Sequence, residues 1–314
     1  MTTSWGTPRI LLVVGGVETT VVVVTWRGAG HITACLDAVA AQERPHRTLV
    51  IDNASDDGTA ALLAAHPSRP RVVRLPRNTG YAGAMRIALS LVDTPLMAWL
   101  NDDAVPAPDW LAVLEDALGP AAAASARLDR PDGSIQSLGV RLTADGHGAD
   151  ATEAPAFGFC GGAALLRTNA VRTVGGVPGS FFCYYEDTDT AWRLRLAGHD
   201  IVTVPAARVT HGHGVSTRPG SPRFHRWNER NRLLTLLRCA PGAIALRELA
   251  RFAAITAVLP LRRDVVDAPN FRVPLRCRVL AEVLVRLPGT LTARRAVTRR
   301  STVPRRAVWR AWAR

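Results

Sequence analysis

The 314-residue chain contains no lysine: its 39 fixed positive charges are all arginine, set against 26 acids for a net charge of +13. That bias reflects genome composition rather than chemistry, so the basicity is informative only through its distribution. No run of about 18 uncharged apolar residues occurs, which excludes a membrane-spanning helix. A secretory leader is not expected either. Ile10 to Val24 is greasy, but Gly15, Gly16 and Glu18 interrupt it and no small-residue cleavage site follows, so it reads as one or two strands. Cysteine is sparse and odd in number. Cys35, Cys160, Cys183, Cys239 and Cys277 are too scattered for a disulfide framework or zinc-ligand spacing, and suit free thiols in a reducing compartment. No internal repeat or low-complexity tract is present.

What the chain does have is enough apolar material, 47%, to bury a full core as one large domain or as a domain plus an appendage. Charge is concentrated at one end. Residues 262–314 hold fourteen arginines against Asp264, Asp267 and Glu282, which accounts for +11 of the +13 and leaves the rest near neutral. Such a tail reads as a solvated helix face, a nucleic-acid arm or a membrane-surface element. Its interspersed Val279, Leu280, Val283, Leu284, Val285 and Leu287, then Val308, Trp309 and Trp312, favour an anionic bilayer or a protein partner, and no nucleic acid is expected.

From Thr20 to Leu100 strand-like and helix-like patterns alternate as in βαβ units. Val21 to Val24 is a short β-branched run suited to a strand buried on both faces. Ile32, Cys35, Leu36, Val39 and Ala40 then fall on one helical face. The cycle repeats with a strand at 48–51, a helix at 59–66, a strand at 71–75, a helix at about 81–91 and a strand ending at Leu100. Beyond Asp109 the regularity weakens; Pro131-Asp132-Gly133 reads as a turn, Ala163 to Leu166 as another apolar run. From about Arg223 the pattern is helical, broken by Pro241, Pro260, Pro269, Pro274, Pro288 and Pro304, with a soft boundary near Cys239.

Five polar segments sit at the ends of these elements. Asp52 to Thr59 leads from a strand into a helix and can meet a base or ribose, or simply cap the helix through Asp57 or Thr59. Asn78-Thr79-Gly80-Tyr81-Ala82-Gly83 offers glycines where a backbone can approach a ligand closely. Asn101-Asp102-Asp103 crowds two carboxylates at a strand exit, where a divalent cation bridging a diphosphate would relieve their repulsion. Phe181 to Asp189 sets Glu186, Asp187 and Asp189 beside aromatics at a helix start, a place for a general base or for ordinary dipole partners. His211-Gly212-His213 follows a strand, where imidazole can ligate a metal.

In this order the segments resemble the family 2 glycosyltransferases. The matching pieces are Val21 to Arg27, Val50 to Thr59, Asn78 to Gly83, Trp99 to Trp110, Gly161 to Arg167 and Gly175 to His211. The rhamnosyltransferase-like branch is the nearest in pattern, through Gly175-Gly176, the Phe181 to Asp187 stretch and Arg230-Asn231. The resemblance implies an α/β GT-A fold, a Rossmann-like and mostly parallel sheet flanked by helices, with a helical basic C-terminal extension. Residues 1–19 would be an N-terminal extension or extra strand, 20–238 the transferase domain and 239–314 the arginine-rich helical region.

The activity it implies is metal-dependent, inverting, non-processive transfer from a nucleotide-diphosphate sugar to an acceptor glycan, lipid-linked sugar or small molecule. Thr25, Arg27, Asp52, Asn78, Gly80 and Asp102 would bind the donor, Asp103 and His211 would hold Mg2+ or Mn2+, and Asp187 would be the catalytic base. His213 stays open as a further ligand. Two positions depart from the family pattern: Asn101 stands for an acid, and Ala84-Met85-Arg86 for a more polar stretch.

Three rivals are weaker. A processive synthase would carry glutamine where Arg223 opens Arg223-Phe224-His225-Arg226-Trp227, and would have spanning helices. A nucleotidyltransferase would carry a basic glycine-rich loop where Thr25 to Gly30 stands. A basic membrane- or nucleic-acid-binding protein on a degenerate GT-A fold would not need Asp103, Asp187 and His211 together. The location implied is cytoplasmic, with peripheral contact at the inner membrane face.

Overall fold

The computed structural model describes residues 17–212, 220–262 and 265–314, so most of the expected N-terminal extension and His213 lie outside the described residues. The first strand, β1 (Thr19–Thr25), is buried along its whole length. Val21 and Val23 enter the core on one side of the sheet, Val22 and Val24 the core on the other, as the two-residue period of a strand requires. Each buried valine contributes about 1.5–3 kcal/mol of apolar transfer, the physical reason a run of four selects a central position. Next, α1 (Ile32–Ala40) buries Ile32, Cys35, Leu36 and Val39, the face its spacing specified. Then come β2 (His46–Asp52), α2 (Thr59–Ala65), β3 (Arg71–Arg74), α3 (Gly80–Leu91) and β4 (Leu96–Asn101). Strands β3, β2, β1 and β4 lie side by side and parallel.

The second half of the sheet is mixed. It is built from β5 (Ala104–Pro106), α4 (Trp110–Leu118), β6 (Ala123–Asp129), β7 (Ile135–Ser137), the hairpin β8 (Val140–Leu142) and β9 (Gly148–Asp150), β10 (Ala163–Arg167), α5 (Thr168–Thr173), α6 (Glu186–Leu196) and β11 (Ile201–His211). Beyond β4 the order is β10, β6, β11, β5. β10 runs antiparallel to both β4 and β6, β11 is parallel to β6, and β5 is antiparallel to β11. The apolar run at Ala163 is therefore a central strand entering from the opposite end. Helices α1 and α4 cover one face; α3, α5 and α6 cover the other.

Four C-terminal helices complete the chain: α7 (Pro222–Cys239), α8 (Gly242–Val258), α9 (Val273–Arg300) and α10 (Arg305–Trp312). Ser221 caps α7, its Oγ accepting from Phe224 N at 3.2 Å, and Pro222 at the first position needs no partner for a missing N–H. Pro241 and Pro304 precede α8 and α10, and Pro274 sits in the first turn of α9. Pro288, expected to break the helix, does not: α9 runs through it. The carbonyl that loses its helical partner belongs to Leu284, which lies on the solvent face where water can serve.

A third core joins these helices to the domain. It gathers Val140, Phe157, Phe181 and Trp192 with Leu233 and Leu236 of α7, Val279, Val283 and Val297 of α9, and Val308 of α10. Trp309 stacks on Trp192 at 5.9 Å, Trp312 meets Phe157 edge-on at 6.1 Å, and the Arg195 guanidinium lies 4.4 Å over the Trp312 ring. The tail residues expected to favour a bilayer thus mostly close the domain instead, because burying large aromatic surfaces against an existing apolar wall is the stronger option. Of that set, Leu284 and Val285 remain exposed. Trp192→Ala, which removes the wall for Trp309, is expected to cost about 3–5 kcal/mol in a urea unfolding curve; a loss under about 1 kcal/mol would show that α10 is not seated there.

Candidate active site

The carboxyl ends of β1, β2 and β4 open onto one side of the sheet, where ligands of open α/β sheets collect. Thr25 ends β1 with its Oγ1 buried and without a hydrogen-bond partner among the described residues. Gly28 lies so close that a Cβ there would be 2.2 Å from Thr25 Oγ1 and 2.9 Å from Asp102 Oδ2, so only glycine fits this turn. Asp102 is buried and faces His31, Oδ2 to Nε2 at 3.2 Å, and this carboxylate holds the His31 imidazole above its ordinary value. Arg27 is half exposed and forms a two-pronged pair with Asp56, at 2.6 and 2.8 Å.

Asp52 is turned inward. Its Oδ1 accepts from Ser55 N at 2.8 Å and its Oδ2 lies 3.6 Å from Arg74 Nη1, so the carboxylate closes the turn that follows β2. Asn53 Nδ2 donates to Asn78 Oδ1 at 3.1 Å, and Asn78 Oδ1 also accepts from Gly80 N at 2.7 Å. Gly80 has φ +73°, and a Cβ on it would meet the Phe182 carbonyl at 2.1 Å. The close approach that this glycine permits is by the protein's own chain. Ala84 and Met85, which replace a polar stretch of the family pattern, are fully buried in the core.

Asp103 and His211, 108 positions apart in sequence, are brought into contact by the pairing of β5 with β11. Asp103 Oδ1 lies 3.1 Å from His211 Nε2, and Asn101 Nδ2 is 3.1 Å from the same nitrogen. On the other side of the ring, Nδ1 is 3.0 Å from Gln136 Oε1. An amide oxygen can only accept, so Nδ1 carries a proton and Nε2 is the ring nitrogen turned toward Asn101 and Asp103. Burial opposes ionisation of Asp103, but the hydrogen bond and charge of His211 outweigh it and hold the carboxyl below the usual range.

These two donors fit a hard divalent cation. Ligands about 2.1 Å from an octahedral ion and at a right angle are about 3.0 Å apart, and such ions take the rest of their shell from phosphate and water. Among the described residues no group of three or more His, Cys, Asp or Glu side chains is arranged to hold a metal ion, so Asp103 and His211 would offer a partial shell that a diphosphate would complete.

The acids of α6 are linked to this edge through Gly161 and Gly162. Asp187 Oδ2 accepts from Gly161 N at 3.0 Å; Oδ1 accepts from Thr188 N at 2.5 Å and Thr188 Oγ1 at 3.1 Å. Burial raises the Asp187 carboxyl, and the backbone N–H groups counter it only in part. Glu186 is more extreme: burial, reinforced by Asp187, pushes it up to about 8, and its Oε2 is buried with no hydrogen-bond partner among the described residues. The adjacent Gly162 carbonyl accepts from Asn101 N at 3.0 Å, and Tyr81 Oη donates to the Gly161 carbonyl at 2.7 Å. One pair of peptide groups therefore ties the Asn101 end of β4 to Asp187.

The structure thus brings Thr25, Asp102, Asp103 and His211 to one edge, with Asp187 linked to it. Asp52, Asn78 and Gly80 mainly shape the turns, and Arg27 sits at the exposed rim. His31 and Gln136 are neighbours of the site that the sequence does not signal: His31 has nothing beyond its place in the turn after β1, and Gln136 lies on a three-residue strand. Glu186 is among the acids the sequence offers at the start of α6, but its burial is visible only in the fold.

Glu186 has a measurable consequence. Its folded state keeps a proton that the unfolded chain releases near the ordinary carboxyl value, so this group makes stability fall as pH rises from about 4.5 to about 8. Glu186→Gln is expected to flatten that fall, which cannot exceed about 1.4 kcal/mol per pH unit, in urea unfolding at pH 5, 6.5 and 8. An unchanged slope would show that Glu186 ionises normally.

Comparison with known proteins agrees with this fold. The family described as Glycosyl transferase family 2 matches residues 20–175. The N-acetylglucosaminyl-diphospho-decaprenol L-rhamnosyltransferase of Mycobacterium tuberculosis (strain CDC 1551 / Oshkosh) is 28% identical over 235 residues, 63% of this chain and 76% of that protein. The mannosyltransferase PcManGT of Pyrobaculum calidifontis, solved with GDP-Man and Mn2+, superposes with TM-score 0.52 at 21% identity, covering 94% of this chain and 79% of that one. S. aureus TarS 1–349 with UDP-GlcNAc gives TM-score 0.57 at 16% identity, covering 94% and 91%. With a GT-A-like sheet, the acidic strand end and the matched segment in agreement, the chain belongs to glycosyl transferase family 2.

Proposed function

We propose that the protein is an inverting, metal-dependent, non-processive glycosyltransferase that moves a sugar from a nucleotide-diphosphate sugar to an acceptor hydroxyl. The observation that carries this reading is the Gly161-Gly162 link, which holds the candidate base Asp187 in fixed relation to the Asp103–His211 pair. Thr25 and Asp102 line the floor of the donor site, with Arg27 at its rim. Asp103 and His211 hold the divalent cation, which when bound offsets the negative charge of the departing nucleoside diphosphate.

Asp187 takes the proton from the acceptor hydroxyl. The N–H groups of Gly161 and Thr188 fix its carboxylate and, with the amino end of α6, keep it ionised, while burial lifts its proton affinity toward the range useful to a base. The acceptor oxygen then attacks the anomeric carbon from the face opposite the leaving group, which inverts the configuration. The name of the mycobacterial relative supports a lipid-linked acceptor sugar and a rhamnosyl donor.

A lipid-linked acceptor would bring the protein to the inner membrane face from the cytoplasm. No helix among the described residues is long and apolar enough to cross a membrane. Contact would instead use the exposed Val258 at the end of α8 and Leu261, Val266 and Phe271 between α8 and α9, where Leu261 is 81% and Val266 72% exposed. The arginine-rich charge of residues 262–314 complements anionic lipid.

Two outcomes test these assignments. In a thermal-shift screen of nucleotide sugars with Mn2+, one donor should stabilise the protein, and EDTA or Asp103→Ala should abolish that shift. With that donor, Asp187→Asn should retain the shift yet lose turnover by about 10²–10⁴-fold; wild-type turnover would remove Asp187 from the base role. Separately, Leu261→Asp combined with Phe271→Asp should abolish co-flotation with phosphatidylglycerol vesicles while leaving the donor shift intact. Undiminished flotation would place the membrane contact elsewhere.

A further inference from the structure

Three of the residues just before α6 have backbone angles that side chains disfavour. Phe182, Tyr184 and Tyr185 stand at φ +70°, +70° and +69°, and none is glycine or asparagine. Such a path persists only where its surroundings over-determine it. It also leads directly into the helix that carries Asp187, since Asp189 N donates to the Tyr185 carbonyl at 2.9 Å.

Ala82 N of α3 donates to the Phe182 carbonyl at 3.0 Å, and the carbonyls of Phe181, Cys183 and Tyr184 are gathered by one side chain of α7. Asn231 is fully buried, and its Nδ2 lies 3.1, 2.8 and 2.8 Å from the carbonyl oxygens of Phe181, Cys183 and Tyr184. Three carbonyls converging on one amide nitrogen leave no role there for an acceptor. The other end of the amide is fixed as well: Oδ1 accepts from Arg230 Nε at 2.9 Å, and Arg230 Nη2 donates to the Phe181 carbonyl at 2.5 Å. Arg230 is anchored in turn by Glu282 of α9, Nη1 to Oε2 at 3.1 Å. The aromatic rings of the turn pack on the same helix, Phe182 against Trp227 at 4.8 Å and Tyr184 against Phe224 at 5.1 Å.

We propose that Asn231 is a positioning residue for Asp187, its amide locking residues 181–185 into the path that aims the carboxylate at the acceptor. Asn231 makes no contact with Asp187 and acts through the backbone alone. The inference rests on the reading of Asp187 as the base. It also gives the C-terminal helices a part in the reaction, because α9 reaches the turn through Glu282 and Arg230.

The test uses the full chain with Asn231→Ala and the nearly isosteric Asn231→Asp, which keeps the volume but turns a carboxylate toward three carbonyl oxygens. With the donor found in the thermal-shift screen and Mn2+, both variants should lose about 100-fold in kcat, while KM for the donor changes less than about threefold. Amide hydrogen exchange should rise in peptides covering 181–189 and stay unchanged in the central strands. Asp187→Asn is measured in parallel. Full activity in Asp187→Asn overturns the base assignment and this inference with it. With Asp187→Asn inactive, wild-type kcat and exchange in the two Asn231 variants overturn this inference alone. So does exchange that rises throughout the molecule with kcat and donor KM deteriorating together, the mark of a merely structural role.

Discussion

Two adjacent peptide groups, those of Gly161 and Gly162, hold the candidate site together. One donates its N–H to Asp187 and the next accepts through its carbonyl from Asn101, at the end of the strand that leads to Asp102 and Asp103. These are buried backbone groups, and leaving either unpaired would carry the full desolvation cost of a lost hydrogen bond. The packing is close on both: a Cβ at Gly161 would be in van der Waals contact with Asp187 at 3.4 Å, and one at Gly162 would press on Leu128 at 3.1 Å. The distance between the base and the acidic strand end is thus set by main-chain geometry, which is stiffer than any pair of rotamers.

Part of the chain's arginine is structural, while most of the arginines of residues 262–314 stay on the surface. Arg193, Arg230, Arg232 and Arg276 are all buried, and each guanidinium spreads its donors over several acceptors. Arg276 reaches the Phe252 carbonyl, Thr256 Oγ1 and the Asn270 carbonyl; Arg193 reaches Asp189, Thr190 and the Val174 carbonyl. A planar fork with five N–H groups can satisfy several fixed carbonyls from one rotamer, which the compact ammonium of lysine cannot do as well. The exclusive use of arginine therefore has a structural consequence here, since helices α7 to α10 are stitched to one another and to the domain by arginine.

The first half of the molecule was legible in the sequence because its signals are local. A run of four valines, a helical face recurring at 32, 35, 36 and 39, and turn residues at each junction need no distant partner to be read. The candidate site was legible only in part. Asp103, Asp187 and His211 stood at the ends of elements, where polar residues without an apolar role draw attention. The Asp102–His31 pair, the Gln136–His211 contact and the Asn231 clamp depend on register and packing between segments tens of residues apart. The aromatic tail shows the converse: Trp309 and Trp312 looked like membrane residues because their partners, Trp192 and Phe157, could not be seen along the chain.

By itself the sequence determined the alternation of elements, the central place of β1, the acidic end of β4 and the acids at the start of α6, all of which follow from side-chain period and from the needs of helix and strand ends. Tertiary structure decided which of these groups lie together. Antiparallel entry of β10 and the pairing of β11 with β5 placed Asp103 on His211 and Gly161 on Asp187. Burial raises both neighbouring carboxyls of one helical turn, Glu186 to about 8, while the backbone N–H groups of Gly161 and Thr188 counter it in part at Asp187. Proton affinity and donor spacing are set by dielectric and by distance, and both exist only once the chain has folded around them.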